Sequence, residues 1–173
     1  MSLLPRLSAL ATLALAMMLP CAALADPAAI YLVRHGEKEA AGEDPALTAQ
    51  GRQRAQNIAA MLNKAGIAHI FSTPTKRTRQ TAQPLAERNK REVQLYDPRK
   101  PQALVATVKS LSGPVLVVGH SNTLSELVRL FGGQPGAEIL DNEYDRVYQL
   151  LPGANGSVNT VVFTSLPETG AAP

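Results

Sequence analysis

Arg34-His35-Gly36, followed by Glu37, is the run whose residue types point most directly to chemistry. It closes an apolar stretch, Ala28 to Val33, that reads as a buried strand. The motif therefore falls at a strand's C-terminal end, where ligands bind in open α/β sheets. Arginine brings a permanent charge on a planar fork that matches phosphate oxygens. Histidine can attack or carry a proton near neutral pH. Gly36 has no side chain, so a substrate could approach the backbone there. Two further strand ends carry matching groups. Ser72-Thr73-Pro74-Thr75-Lys76-Arg77 follows the short strand His69 to Ser72 and puts Arg77 in the first turn of a helix. Gly119-His120-Ser121-Asn122 follows the apolar run Val115 to Val118 and puts His120 just before a helix N-terminus. If these strands are neighbours, two histidines and two arginines converge. Two helix N-termini, each favouring an anion, would point at the same place.

This constellation suits phosphoryl transfer. A phosphomonoester carries close to two negative charges near neutrality, which two guanidinium groups and a helix N-terminus can hold. A neutral imidazole nitrogen can attack phosphorus in line, and a second, protonated imidazole can stabilise the equatorial oxygens. The leaving oxygen needs a proton from an acid, and water must then attack the phosphohistidine.

The elements that must position these groups alternate in type. A helix capped by Thr48 runs to about Lys64, with Gly66 after it and Ala55, Ile58, Ala59, Met61 and Leu62 on one face. Thr73 and Pro74 read as cap and first turn of a helix reaching Arg88. Glu92 to Leu95 reads as a short edge strand, and Pro101 opens a helix carrying Leu104, Val105, Val108 and Leu111. Val115 to Val118 shows no alternation, as a central strand buried on both faces does. A helix from Ser121, itself read as the cap, runs to Phe131. Arg146 to Leu151 and Ser157 to Thr164 read as a hairpin at the sheet edge. The fold class is α/β, a three-layer α/β/α sandwich around a mostly parallel, mixed sheet. No Gly-x-Gly-x-x-Gly or P-loop lysine follows a strand, which disfavours nucleotide folds.

In its motifs the chain resembles the histidine phosphatase superfamily, the phosphoglycerate mutase-like group. The resemblance rests on Leu32 to Glu37, Leu47 to Arg52, Phe71 to Ala82 and Val117 to Asn122, in the family's order and spacing. It implies that His35 is the phosphorylated nucleophile, that Arg34 and Arg77 bind phosphate and that His120 contacts the phosphoryl group. It implies no metal and no cofactor. The likeness is nearest to the short branch of phosphohistidine phosphatases and small secreted phosphatases. Longer members keep an asparagine after the nucleophile loop and a glutamate proton donor, and neither has a match here. Asp97 falls where the donor region lies and is the first candidate acid, although a turn residue before Pro98 explains it equally well. Glu37 and Asp141 are weaker candidates.

Other polar residues invite simpler readings. His69 has no partner motif and reads as structural or exposed. A zinc site of His35, His69 and His120 lacks ligand spacing. Gly51 reads as a helix-start device and Arg79 as a surface residue. The cations from Lys76 to Lys100 read equally as a solvated helix face or as a positive rim attracting an anionic substrate.

Composition bounds the rest. Met1 to Ala25 carries Arg6, the apolar stretch Leu7 to Leu19 and the small-x-small ending Ala23-Leu24-Ala25, the pattern of a secretory signal peptide. Pro20 before Cys21 disfavours lipid attachment. Cleavage after Ala25 would leave no cysteine, excluding disulfides and thiol chemistry. One domain, residues 26–166, would remain, with a disordered tail at 167–173 and no membrane span. The formal net charge of +3 is too modest to argue for nucleic acid. These readings predict a periplasmic or secreted phosphatase acting on a small-molecule or envelope-linked phosphate. The alternatives are a phosphohistidine protein phosphatase, a non-catalytic phosphate-binding module and a mutase.

Overall fold

The computed structural model describes residues 27–169. The signal-peptide reading, Cys21 included, lies outside the described residues. Four parallel strands form the middle and one side of a six-stranded sheet: β1 (Ile30–Arg34), β2 (His69–Ser72), β3 (Val93–Leu95) and β4 (Val115–Gly119). β5 (Arg146–Pro152) and β6 (Val158–Thr164) add antiparallel at the other side, giving the order β3-β2-β4-β1-β5-β6. The sheet is mixed and the last two strands form the expected edge hairpin. Helices α1 (Ala49–Met61), α2 (Lys76–Asn89), α3 (Pro101–Lys109) and α4 (Ser121–Leu130) lie between the strands in sequence.

Strand alternation divides the core. Leu116 and Val118 of β4 pack with Ile58 and Ala59 of α1 and with Ala82 and Leu85 of α2. Val115 and Val117, on the opposite face, pack with Leu104 and Val108 of α3 and with Leu124 and Leu127 of α4. β4 is thus apolar throughout because both its faces are covered. Register then sets the site. Arg34 pairs with Gly119 across β1 and β4, and the His35 N–H bonds the Gly119 carbonyl at 3.0 Å. The two histidines leave adjacent parallel strands at the same level.

Several local expectations need correction. α2 begins at Lys76 rather than Pro74, with Thr75 as a cap residue that makes no side-chain cap bond. Its first amide is taken instead by Asp44, whose two carboxylate oxygens both lie 3.0 Å from the Lys76 nitrogen. A carboxylate from the preceding loop therefore already sits at this helix N-terminus, as its partial positive charge favours. The cap of α4 is His120, in extended backbone, and Ser121 is the first helical residue. Met61 is 37% exposed, so it leaves the apolar face that Ile58 and Leu62 share. Of the tail expected to be disordered, Pro167 to Thr169 is described, and Thr169 bonds the Tyr144 amide and the Asp145 carboxylate.

Gly36 and Gly51 serve each other rather than a substrate. A Cβ on Gly36 would lie 2.7 Å from the Gly51 carbonyl oxygen, and one on Gly51 would lie 2.1 Å from the Glu37 carbonyl oxygen. α1 packs directly on the backbone of the nucleophile loop, and only glycines permit this approach. Thr81 of α2 holds the same loop from another side, accepting the Gly36 amide at 3.0 Å and donating to the Arg77 carbonyl at 2.8 Å.

Candidate active site

His35, Arg77, Arg99, His120 and the first turn of α4 line a cavity of about 470 Å3. The ring centroids of His35 and His120 are 5.3 Å apart, with the rings at 67°. The His35 Nδ1 lies 2.8 Å from the Gly36 carbonyl oxygen. A carbonyl only accepts, so Nδ1 carries the proton and Nε2 keeps its lone pair. Burial, aided by repulsion from His120, Arg34 and Arg77, lowers the His35 pKa to about 3. Burial lowers that of His120 to about 4, with Arg77 and Arg34 adding to the effect. Both rings are thus held neutral at pH 7. A neutral His35 has its Nε2 lone pair available without prior deprotonation, and a negative charge beside His120 would favour its protonated form. A chain of hydroxyls fixes the second ring: Thr73 Oγ1 lies 2.9 Å from both His120 Nε2 and Thr78 Oγ1.

The arginines are held by different means. Arg34 is buried, and its Nη1 meets the carbonyls of Leu140, Asp141 and Glu143 at 2.9, 3.0 and 2.7 Å. Its guanidinium carbon stands 4.0 Å from the Tyr144 ring centroid, a cation–π distance. That ring in turn lies 6.0 Å from the His35 ring. Arg77 Nη1 is 3.7 Å from Asp44. The Nε atoms of Arg34 and Arg77 are both buried without a hydrogen-bond partner, an arrangement that buried donors rarely keep unless a ligand completes it.

The acid candidates fare differently from the cations. Asp97 accepts from the Arg99 amide and guanidinium at 3.0 to 3.1 Å, and this holds its carboxyl below the usual carboxylate range. It sits beside the cavity as an ionised acceptor, not as a poised donor. Glu37 is pinned by Arg54, with 2.6 Å between Nη2 and Oε1, and Arg54 is 0% exposed. Burial pushes the Glu37 pKa up, but the hydrogen bonds and charge of Arg54, with a backbone bond and Gln50, together bring it below its ordinary value. Asp141 contributes its carbonyl to Arg34. No Asp or Glu lines the cavity among the described residues. His69 stands apart, bonded to the Ser112 carbonyl at 3.1 Å. No cluster of His, Cys, Asp or Glu suited to a metal occurs among the described residues, and none of their helices is long and apolar enough to cross a membrane.

A buried His35 facing a half-buried His120, with Arg77 lining the same cavity and Arg34 held behind by backbone carbonyls, stands at the ends of parallel strands of a mixed α/β sheet. The model of the histidine phosphatase superfamily, branch 1, matches residues 30–98 of this chain. Proteins named Probable phosphoglycerate mutase GpmB are similar to it. The Escherichia coli O1:K1 / APEC protein is 31% identical over 131 residues, 70% of this chain and 60% of that one. The Escherichia fergusonii protein is 33% identical over 141 residues, 74% of this chain and 65% of that one. The chain thus spans a little under two thirds of the length of these relatives. Among solved structures, the protein histidine phosphatase SixA complexed with tungstate matches with a TM-score of 0.64 at 18% identity, covering 79% of this chain and 96% of that one. Phosphoserine phosphatase from Entamoeba histolytica matches at 0.62 and 18%, covering 80% and 98%. These likenesses show the phosphoglycerate mutase-like α/β fold.

Sequence reasoning missed Tyr144, Arg54 and Asp44. Asp44-Pro45 just before the Leu47-Thr48 helix start is a readable capping signal, though the capped helix is the next one. Tyr144 carries no local signal at all.

Proposed function

We propose that the protein is an exported phosphatase that hydrolyses a phosphomonoester through a phosphohistidine on His35. One observation carries this reading: the Gly36 carbonyl fixes the proton on His35 Nδ1 and leaves Nε2 as a lone pair in a cavity flanked by Arg77 and His120. A phosphate dianion seated there would meet the Arg77 guanidinium and the first turn of α4, whose amides favour an anion. Its charge would raise the His120 pKa and so create the imidazolium that stabilises the transferring phosphoryl group. Water would then release phosphate from His35. The chemistry assigns no step to a metal or cofactor. The leader-like sequence supports a periplasmic or secreted location, where scavenged or envelope-linked phosphates are in reach.

The absence of a carboxyl group lining the cavity, among the described residues, favours one second reading. An alkoxide leaving group needs a proton at the moment of bond breaking. An imidazole leaving group titrates near neutrality and needs far less help. A phosphohistidine protein phosphatase would therefore suit this cavity as it stands.

Hydrolysis of an activated aryl phosphate without added metal, beside His35→Ala, tests the first reading. Turnover that vanishes in the variant supports it. Hydrolysis of a phosphohistidine peptide with none of the aryl ester favours the second. Phosphate binding without turnover of either leaves a binding module and overturns both.

A further inference from the structure

A second groove is walled by α2 and the edge strand β3. It is open, about 730 Å3 in volume, and three cations reach it from two elements: Lys76 and Arg79 on α2, and Arg91 just before β3. Lys76 and Arg79 are three residues apart and so share one face of the helix. Glu92 is the single carboxylate at the groove. None of the three cations takes part in an ion pair among the described residues, where the paired arginines are 54, 77, 99 and 146. Like charges gathered without counter-charge make a positive field that an anion relieves.

The groove and the cavity have no lining residue in common, but neighbouring stretches of the same two chain segments line them. Arg77, the next residue after Lys76, lines the cavity. Leu95, 58% exposed at the groove, runs on through Tyr96 and Asp97 to Pro98 and Arg99, which also line the cavity. This adjacency along α2 and along the segment after β3 is what relates the groove to the cavity.

We infer that this groove is a second anion subsite, and that the substrate is a phosphomonoester carrying at least one further anionic group beyond the scissile phosphate. The inference rests on the phosphatase reading for the phrase "scissile phosphate" alone; the subsite itself is defined by binding. Lys76, Arg79 and Arg91 would hold the distal group, while Val93 and Leu95 offer apolar surface to the linkage between the two charges.

Binding of orthophosphate and of tripolyphosphate to the purified protein, followed by calorimetry at fixed ionic strength, tests this. Tripolyphosphate should bind about tenfold more tightly than orthophosphate. Arg79→Ala/Arg91→Ala should abolish that advantage and leave orthophosphate affinity and aryl phosphate turnover within about twofold. Arg88→Ala/Lys109→Ala removes the same charge away from the groove and should keep the advantage. Equal affinity for the two anions in the native protein overturns the proposal. So does an equal loss in both double variants, which would mean general electrostatics. Lack of turnover would sink the phosphatase reading alone, because these affinities are measured without it.

Discussion

The imidazoles of His35 and His120 meet edge to face, 5.3 Å between centroids, and burial holds both neutral. Binding of an anion beside them is therefore expected to be coupled to proton uptake. Binding of sulfate, which does not titrate in this range, should make the protein take up a proton at pH 6, because the anion's charge raises the His120 pKa from about 4. Calorimetry in buffers of different ionisation enthalpy reads the uptake directly. His120→Gln should abolish it, and buffer-independent heats in the native protein would disprove the coupling.

The same pair makes folding stability depend on pH. In the unfolded chain both rings gain protons near the ordinary value of 6.5, whereas in the folded chain they stay neutral down to about 3 and 4. The unfolded state binds more protons between these limits, so stability is complete above pH 6.5 and falls as pH drops toward 4. Urea midpoints measured from pH 7 to pH 4.5 should decline. They should decline clearly less in His35→Asn/His120→Asn, and parallel curves would count against this origin.

Much of this arrangement was legible in the sequence because its causes are local. Thr48 caps α1 by accepting the Gly51 amide at 3.1 Å, a contact written into four consecutive residues. The unalternating run Val115 to Val118 could only be a doubly covered strand. His35 and His120 both follow strand ends, as the apolar runs before them indicate. The supports of the site were less legible, because they join residues far apart. Arg34 is held by carbonyls more than a hundred residues away, and Leu140 to Glu143 has no periodic pattern. Asp97 looked suitable as an acid until Arg99, two residues on, was seen to hold it.

Gly51 gives a direct structural test. In Gly51→Ala the new methyl would stand 2.1 Å from the Glu37 carbonyl oxygen, backbone that cannot give way cheaply. The variant should lose at least about 2 kcal/mol of stability, and the displaced nucleophile loop should lower kcat as well. Denaturant melts and aryl phosphate kinetics check both, and unchanged values would mean that the loop and α1 separate freely.

Arg54 bridges Glu37 to Ser165, donating to its carbonyl at 3.1 Å and its hydroxyl at 3.0 Å. Arg54→Met would strand a half-buried carboxylate and should cost about 3 kcal/mol, as loss of one partner of a buried pair does. Glu37→Gln/Arg54→Met should recover part of that loss. A double variant no more stable than Arg54→Met would place the cost in packing instead.

The hydrogen bond from His35 to the Gly36 carbonyl has a consequence for control. Many nucleophiles are switched on by a neighbouring side chain, which can itself be titrated, modified or moved. Here the arming group is the main chain of the next residue, present whenever the loop is folded. On the proposed mechanism His35 then has no off state of its own, and restraint would have to act on what reaches the cavity.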